Sequence, residues 1–524
     1  MKIQFHRIDT NVVVGLLVRE FCCSGTDVSA KVLAMYAGTR TPSMEPQWLA
    51  AGLSQTISAY NCYIMKYKTY VLEKIMNRDL SKGSVVKSML LFAIPMILGD
   101  LLQQCYNIAD TLIVGQFLGE KALAAVGSSF TLMTFITSII LGLCMGSGAL
   151  FSIRFGQRDE NGLKEDICAS FFFITAVTIL LNIIAYISLS GLRTFLRVPD
   201  EVWGDMKEYL FVIFMGIPAV FLYNYFASYL RAIGNSVIPL AFLAVSSILN
   251  IILDLWFVIG LKLGVAGAAQ ATVISQYLSG VGIMVYTLMR YKQVCAIWKI
   301  RYLKKERIRE IISFSMLTCI QQSVMNLGIL MVQGLVNSFG TVVMAAFAAA
   351  VKIDAFAYMP VQDFGNAFST FIAQNYGAKE KKRIQQGLKA AVRISAIFCV
   401  VVSAVVYIFA KPLMMIFVDA KETAIIMEGV RYLRIEGAFY IGIGWLFLLY
   451  GLYRALGRPG MSVVLTVFSL GTRVALAYIL SAIPAIGVVG IWWSVPIGWA
   501  LADIVGLLYY KIKKQNLVEK EPEM

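Results

Sequence analysis

Asp254 follows Asn250 by four residues, in Asn250-Ile-Ile-Leu-Asp254, and that spacing puts an amide and a carboxylate on one face of a helix. A second acid, Asp110, closes Asn107-Ile-Ala-Asp110 and is followed by Thr111. Both lie in long apolar stretches, where a charge at the bilayer centre costs about 2.5–3.5 kcal/mol. Such acids must face a cavity or a partner. A carboxylate taken out of water holds a proton more tightly, and an approaching cation weakens that hold. An acid with an amide one turn away therefore suits a site where a proton, or a small hard cation, competes with a cationic molecule. The single histidine, His6, lies outside every apolar stretch, so imidazole is not the carrier.

The other charges in apolar stretches are few. Asp100 stands ten residues before Asp110, about 80° around a helix, and reads as an interface or capping residue, as does Asp503. Lys352, Asp354 and Asp363 fall on one predicted helix. Lys352 and Asp354 point apart, and Lys352 and Asp363 sit about 16 Å apart along the axis. Their partners must come from other helices, or they line a second cavity. Arg473 is the other base read as intramembrane.

Enzyme chemistry finds no support. Gly115-Gln-Phe-Leu-Gly119-Glu-Lys121 lacks the spacing and the Gly-Lys-Ser/Thr ending of a phosphate loop. Nine cysteines are scattered without metal-ligand spacing, so no cofactor is expected. Without an ATP site, uphill transport must draw on an ion gradient, of H⁺ or Na⁺.

These residues need elements to hold them. Of 524 residues, 59% are hydrophobic and 15% charged, against roughly 45–50% and about 25% in soluble domains. Mean hydropathy is +0.73. The expected class is all-α integral membrane, lodged in the lipid bilayer. Twelve spans are predicted near 86–117, 121–154, 165–189, 207–231, 236–260, 265–290, 309–339, 342–376, 384–409, 426–456, 460–482 and 486–511. The net charge of +15 is explained by basic loops rather than nucleic acid. One set of loops and ends carries 27 Lys and Arg, the other 9. That bias places both termini in the cytoplasm of a multi-pass protein in the cell membrane.

The chain also repeats itself. Gly119, Ala124, Ala125 and Gly156 return 221 residues later as Gly340, Ala345, Ala346 and Gly377. Tyr209-Leu210, Arg231-Ala232 and Gly264-Val265 return 223 residues later as Tyr432-Leu433, Arg454-Ala455 and Gly487-Val488. Self-similarity of this kind predicts two six-helix lobes. Six is even, so a pseudo-two-fold axis along the membrane normal relates them, with a cavity near the midplane. The N-lobe is 78–290, the linker 291–308 a solvated cytoplasmic loop, the C-lobe 309–512 and the tail 513–524. Residues 1–77 read either as a disordered extension or as non-native sequence, with translation then starting near Met76. Pro95, Pro218, Pro239, Pro360 and Pro496 are expected to interrupt helices, and Gly142, Gly146 and Gly148 to mark close helix packing.

The chain resembles the multidrug and toxic compound extrusion (MATE) family over about residues 78–512. The resemblance rests on Asp110-Thr-Leu-Ile-Val-Gly115 with Leu118-Gly119 and Leu123-Ala-Ala-Val126. Tyr229-Leu-Arg-Ala-Ile-Gly234, Asn250-Ile-Ile-Leu-Asp254, Gly264-Val-Ala-Gly267-Ala-Ala and Gln374-Asn-Tyr-Gly-Ala378 extend it. It implies export of small organic cations by alternating access, in exchange for H⁺ or Na⁺, by a monomer. It looks closest to the DinF-like branch, which implies ion coupling at Asp110 and Asp254. Tyr209, Asn224, Asn250 and Thr272 would support them; Asp110, Asp254 and Asn250 would be the ligands if the ion is Na⁺. Ala227 departs from relatives that carry an amide there. Cys319-Ile-Gln-Gln-Ser323 lacks the acid that another branch uses in its seventh span. The alternative is a lipid-linked oligosaccharide flippase of the wider superfamily. That needs a basic central cavity, and only Lys352 and Arg473 are on offer.

Overall fold

The computed structural model describes residues 79–196, 200–299 and 304–518. The expected extension, 1–77, lies outside them. The described chain is helical: α1 (Val85–Leu118), α2 (Glu120–Gln157), α3 (Glu160–Leu196), α4 (Asp200–Ile213), α5 (Ile217–Ala232), α6 (Val237–Asp254), α7 (Gly264–Arg290), α8 (Lys305–Asn337), α9 (Thr341–Gly377), α10 (Lys381–Met414), α11 (Thr423–Gly437), α12 (Tyr440–Ala455), α13 (Pro459–Ser481) and α14 (Val488–Val518). A 3₁₀ turn at Phe214–Gly216 joins α4 and α5 into one crossing. Eleven crossings are continuous in this sense; α11 and α12 meet at 51° and make a bent twelfth. The last helix, α14, runs on into the tail as far as Val518.

Prolines behave in two ways. Pro95, Pro360 and Pro496 sit inside helices. Pro218 and Pro239 instead fall in the first turns of α5 and α6. There the missing N–H has no partner to lose, so these two begin helices rather than interrupt them.

Each half of the chain builds an apolar core. One holds residues such as Val114, Leu143, Tyr225 and Ala268. The other holds Phe347, Phe368, Tyr453 and Trp492. The start of α1 and the segment before it break this division: Leu80, Met89, Phe92 and Met96 join the C-lobe core. The repeat-related contact also exists, with α8 packed on α2. At one end of the molecule, therefore, each lobe's first helix lies against the other lobe's second.

That end is sealed. A Cβ on Gly142 would stand 2.6 Å from Cys319 Cα, and one on Gly146 2.6 Å from Ser315 Cα. Only glycine allows the two backbones so close. Gly156 and Gly377, repeat mates, cross one another through the backbone carbonyls of Gln374 and Ile153. Ser147 and Ser315 hydrogen-bond at 2.8 Å. Arg154, 4% exposed, pairs with Asp166 at 3.1 Å and Glu310 at 3.0 Å. The segment before α1 is tied down too: Leu80 N–H donates to Gln374 Oε1 at 3.0 Å, and Asn375 Nδ2 to Leu80 O at 3.2 Å. Beside it, burial raises the Asp79 carboxyl, but hydrogen bonds from Ser81 and Lys82 outweigh that and hold it below its ordinary value.

The linker is not the solvated loop that its charges suggest. Lys292–Trp298 form a 3₁₀ helix that buries Val294, Ala296 and Ile297 against α3. Its basic neighbours pair with α3: Lys304 and Arg307 both reach Glu165.

Candidate functional site

A cavity of about 700 Å³ lies between the lobes, its lining running from exposed Phe130 and Thr134 down to Ser152 and Arg454 near the sealed end. Five acids line it (Asp100, Asp110, Asp354, Asp363 and Glu436) and three bases (Arg231, Arg454 and Arg473).

On the N-lobe side, α1 presents Gln103, Tyr106, Asn107 and Asp110, and α4 presents Tyr209. Asn224, Asn250 and Thr272 also line the wall. Asn250 is 2% exposed, and its Nδ2 donates to Thr272 Oγ1 at 3.4 Å. Asn224 spends its amide on its own helix, donating to Val220 O at 2.9 Å. Asp254 stands behind this wall: it is 0% exposed and is not part of the lining. Both its carboxylate oxygens are buried without a donor among the described residues, as is Asp110 Oδ1. Asp110 and Asp254 feel each other's charge directly, and Tyr106 and Tyr209 feel both. A short π-helix, Leu255–Gly260, begins immediately after Asp254. A widened turn of this kind shifts the helix register and is often found at functional sites. The arrangement is a pair of acids with too few donors, reached from the cavity past an amide and a hydroxyl. It offers oxygen ligands to a proton or to a hard cation such as Na⁺.

On the C-lobe side, Tyr440 O–H donates to Asp354 Oδ1 at 2.5 Å. Glu436 lies close to Asp354 and Tyr432, and Arg473 supplies the nearby positive charge. Asp354 and Glu436 are 5% and 1% exposed. Lys352 is not part of this group. Its side chain is exposed, with Nζ 5.9 Å from the centre of the Phe417 ring. Two residues along a helix is about 200° of rotation, so Lys352 faces away from the cavity that Asp354 enters.

The floor joins the two sides. Asp363 of α9 meets Asp100 of α1 within hydrogen-bonding reach, with Arg231 and Asn366 beside it. Arg454 Nη2 donates to Asn366 Oδ1 at 3.0 Å. Asp100 is thus a cavity residue rather than a capping one. Asp503, 6% exposed, is buried outside the lining.

The sequence reading missed Tyr106, Glu436 and the two floor arginines. Glu436 had a signal, being an acid inside the tenth apolar stretch, one turn after Tyr432. Arg231 and Arg454 were seen only as repeat markers.

Among the described residues, up to twelve apolar crossings, folded as two repeat-related lobes around a polar cavity, define a multi-pass membrane transporter rather than an enzyme. The MatE family model matches residues 95–256 and 315–479, and the chain belongs to that family. It is 29% identical to "Probable multidrug resistance protein YoeA" of Bacillus subtilis, over 84% of this chain and 98% of that one. It is 30% identical to "Probable multidrug resistance protein YpnP" of the same organism, over 83% and 96%. Among solved structures, a MOP superfamily transporter from Pyrococcus furiosus superposes with a TM-score of 0.78 at 24% identity, covering 84% of this chain and 98% of that one.

Proposed function

We propose that this chain is a secondary antiporter that exports amphipathic organic cations across the cytoplasmic membrane in exchange for H⁺ or Na⁺. The observation that carries this is Asp254, fully buried with both oxygens lacking donors, behind a cavity wall that contains Asp110 and Asn250. Two acids close together in a low dielectric resist joint ionisation. They take up a positive charge, and a cation entering the cavity competes for it. Asp110, Asp254 and Asn250 hold the exchanged ion, and Tyr209, Asn224 and Thr272 shape the approach. This N-lobe placement fits the DinF-like branch. The multidrug resistance names of the two relatives favour export of drug-like molecules.

Five lining acids against three bases favour cationic cargo. They argue against a flippase for a pyrophosphate-linked lipid, because Arg473 is already matched by Asp354 and Glu436. The loop charge bias assigns the sealed end, and both termini, to the cytoplasm. The cavity then faces outward. One chain contains the whole cavity, so a monomer suffices.

The test is efflux from proteoliposomes under an imposed ΔpH or ΔNa⁺, applied separately. Asp254→Asn should abolish exchange while leaving insertion and folding intact. Full efflux by that variant, at equal protein, would remove Asp254 from coupling.

A further inference from the structure

The two symmetry-related contacts between the lobes are built from different chemistry. Where α8 crosses α2, Gly142 and Gly146 meet the backbone of Phe314–Cys319. Where α1 crosses α9, Asp100 meets Asp363. The repeat mates of Asp363 and Asp100, at the shift of 221, are Gly142 and Gln321. One crossing is close backbone packing, and the other carries two carboxyls. Asp363 is 5% exposed, and its Oδ2 is buried without a donor among the described residues. Two carboxyls in hydrogen-bonding reach repel when both are ionised, and one proton between them turns the contact attractive.

We propose that Asp100 and Asp363 form a proton-sharing latch that joins α1 to α9 across the cavity floor and releases when the floor opens. Both residues line the cavity, so the proton enters from the open side. When α1 and α9 part, each carboxyl is hydrated, both ionise, and the proton leaves to the water on the side that has just opened. The latch thus carries one proton per cycle in the direction that drives export.

The surroundings suit the role. Arg231 and Tyr223 of α5 face the pair, and so does Asn366 of α9. Arg454 of α12 reaches it through Asn366. The α2 helix offers Ser152, and α6 offers Leu240 and Leu243 against Gly99. On α10, Arg383 is committed to Asn375 and to the carbonyls of Leu80 and Gly83. The acids Asp354 and Glu436 answer to Arg473 and Tyr440 instead. Arg231 Nε has no acceptor among the described residues. It is placed to hold the remaining negative charge of the pair without removing its proton.

The direction of proton movement rests on the antiport reading, but the latch itself is tested without transport. Spin labels on Arg158→Cys and Glu380→Cys, with reactive native thiols replaced, report the separation of the lobes at the sealed end. The full chain is measured in nanodiscs, in sodium-free buffer, without substrate, from pH 5.5 to 9. The closed state binds one proton more than the open state, so raising pH should favour opening. The closed-to-open ratio should fall by about tenfold per pH unit at its steepest. Asp363→Asn keeps a donor for Asp100 and should stay closed at every pH; Asp363→Ala should open and lose the pH response. Asp100→Asn should repeat the first result if Asp363→Asn fails to fold. The pH response should persist in an Asp110→Asn/Asp254→Asn background, which separates the latch from the coupling site. Loss of the response there would overturn the proposal. So would an unchanged response in both Asp363→Asn and Asp100→Asn, or closure that follows added Na⁺ at fixed pH.

Discussion

Gly377→Ala places a methyl group where the two lobes cross. A Cβ on Gly377 would stand 2.9 Å from Gln157 N, and one on Gly156 2.8 Å from the Gln374 carbonyl carbon. Comfortable contacts lie at about 3.5–4.0 Å, so α2 and α9 must part by about 1 Å. The atoms met are backbone and cannot swing aside. Overpacking of this kind costs about 1–3 kcal/mol. A state with the floor open escapes that cost, and the closed-to-open ratio should shift about 5–150-fold. The thiol introduced by Ser315→Cys, at a position that faces Ser147 and is buried, gives the readout. Its alkylation rate from the sealed side should rise in proportion to the open fraction. A single parting of the helices relieves both clashes, so Gly156→Ala/Gly377→Ala should add less than the sum of the two. An unchanged labelling rate with only a lower melting temperature would refute the reasoning, because the crossing would then be static packing and not a moving seal.

Arg154→Ala leaves Asp166, 0% exposed, without its guanidinium. Unpairing a buried charge costs about 3–5 kcal/mol, so the purified variant should melt clearly lower, and Asp166→Asn in the same chain should restore part of the loss. Lys352→Ala should change stability by less than about 0.5 kcal/mol and leave exchange at the level of the parent in the same liposome assay, since its side chain is exposed and its ammonium lies over the Phe417 ring.

The twelve crossings and the two lobes were legible because a period of 221–223 residues and long apolar runs are both strong signals. Asp110 and Asn250–Asp254 stood out because an acid in an apolar stretch is rare. What escaped depends on distances that no local pattern encodes. Asp100 and Asp363 are 263 positions apart, and only the crossing of α1 with α9 brings them together. The bend between α11 and α12 follows no proline. The 3₁₀ helix in the linker hides behind its neighbouring lysines, because three apolar residues are too few to show a period. Asn250 and Asp254 are both buried, and that the acid stands behind the amide rather than in the cavity lining is set by packing.

On the proposed antiport reading, the repeat explains why exchange is assigned to one lobe. At a shift of 221 or 223, Asp110 returns as Met331, Asp254 as Ala477, and Asn250 as Arg473, while Tyr209 returns as Tyr432. The C-lobe has its own acids, Asp354 and Glu436, whose N-lobe mates are Met133 and Ile213. The backbone is duplicated and the charges are not. In the N-lobe Asp110 and Asp254 have no base paired with them among the described residues, so in the proposed exchange a bound ion would supply the missing positive charge. In the C-lobe the arginine that replaces Asn250 supplies that charge permanently. A site that carries its own counter-ion has little reason to trade one, and a site that lacks it must take one from solution. The same fold, laid down twice, thus holds an acid pair with a fixed partner in the C-lobe and, in the proposed exchange, an acid pair with an exchangeable partner in the N-lobe.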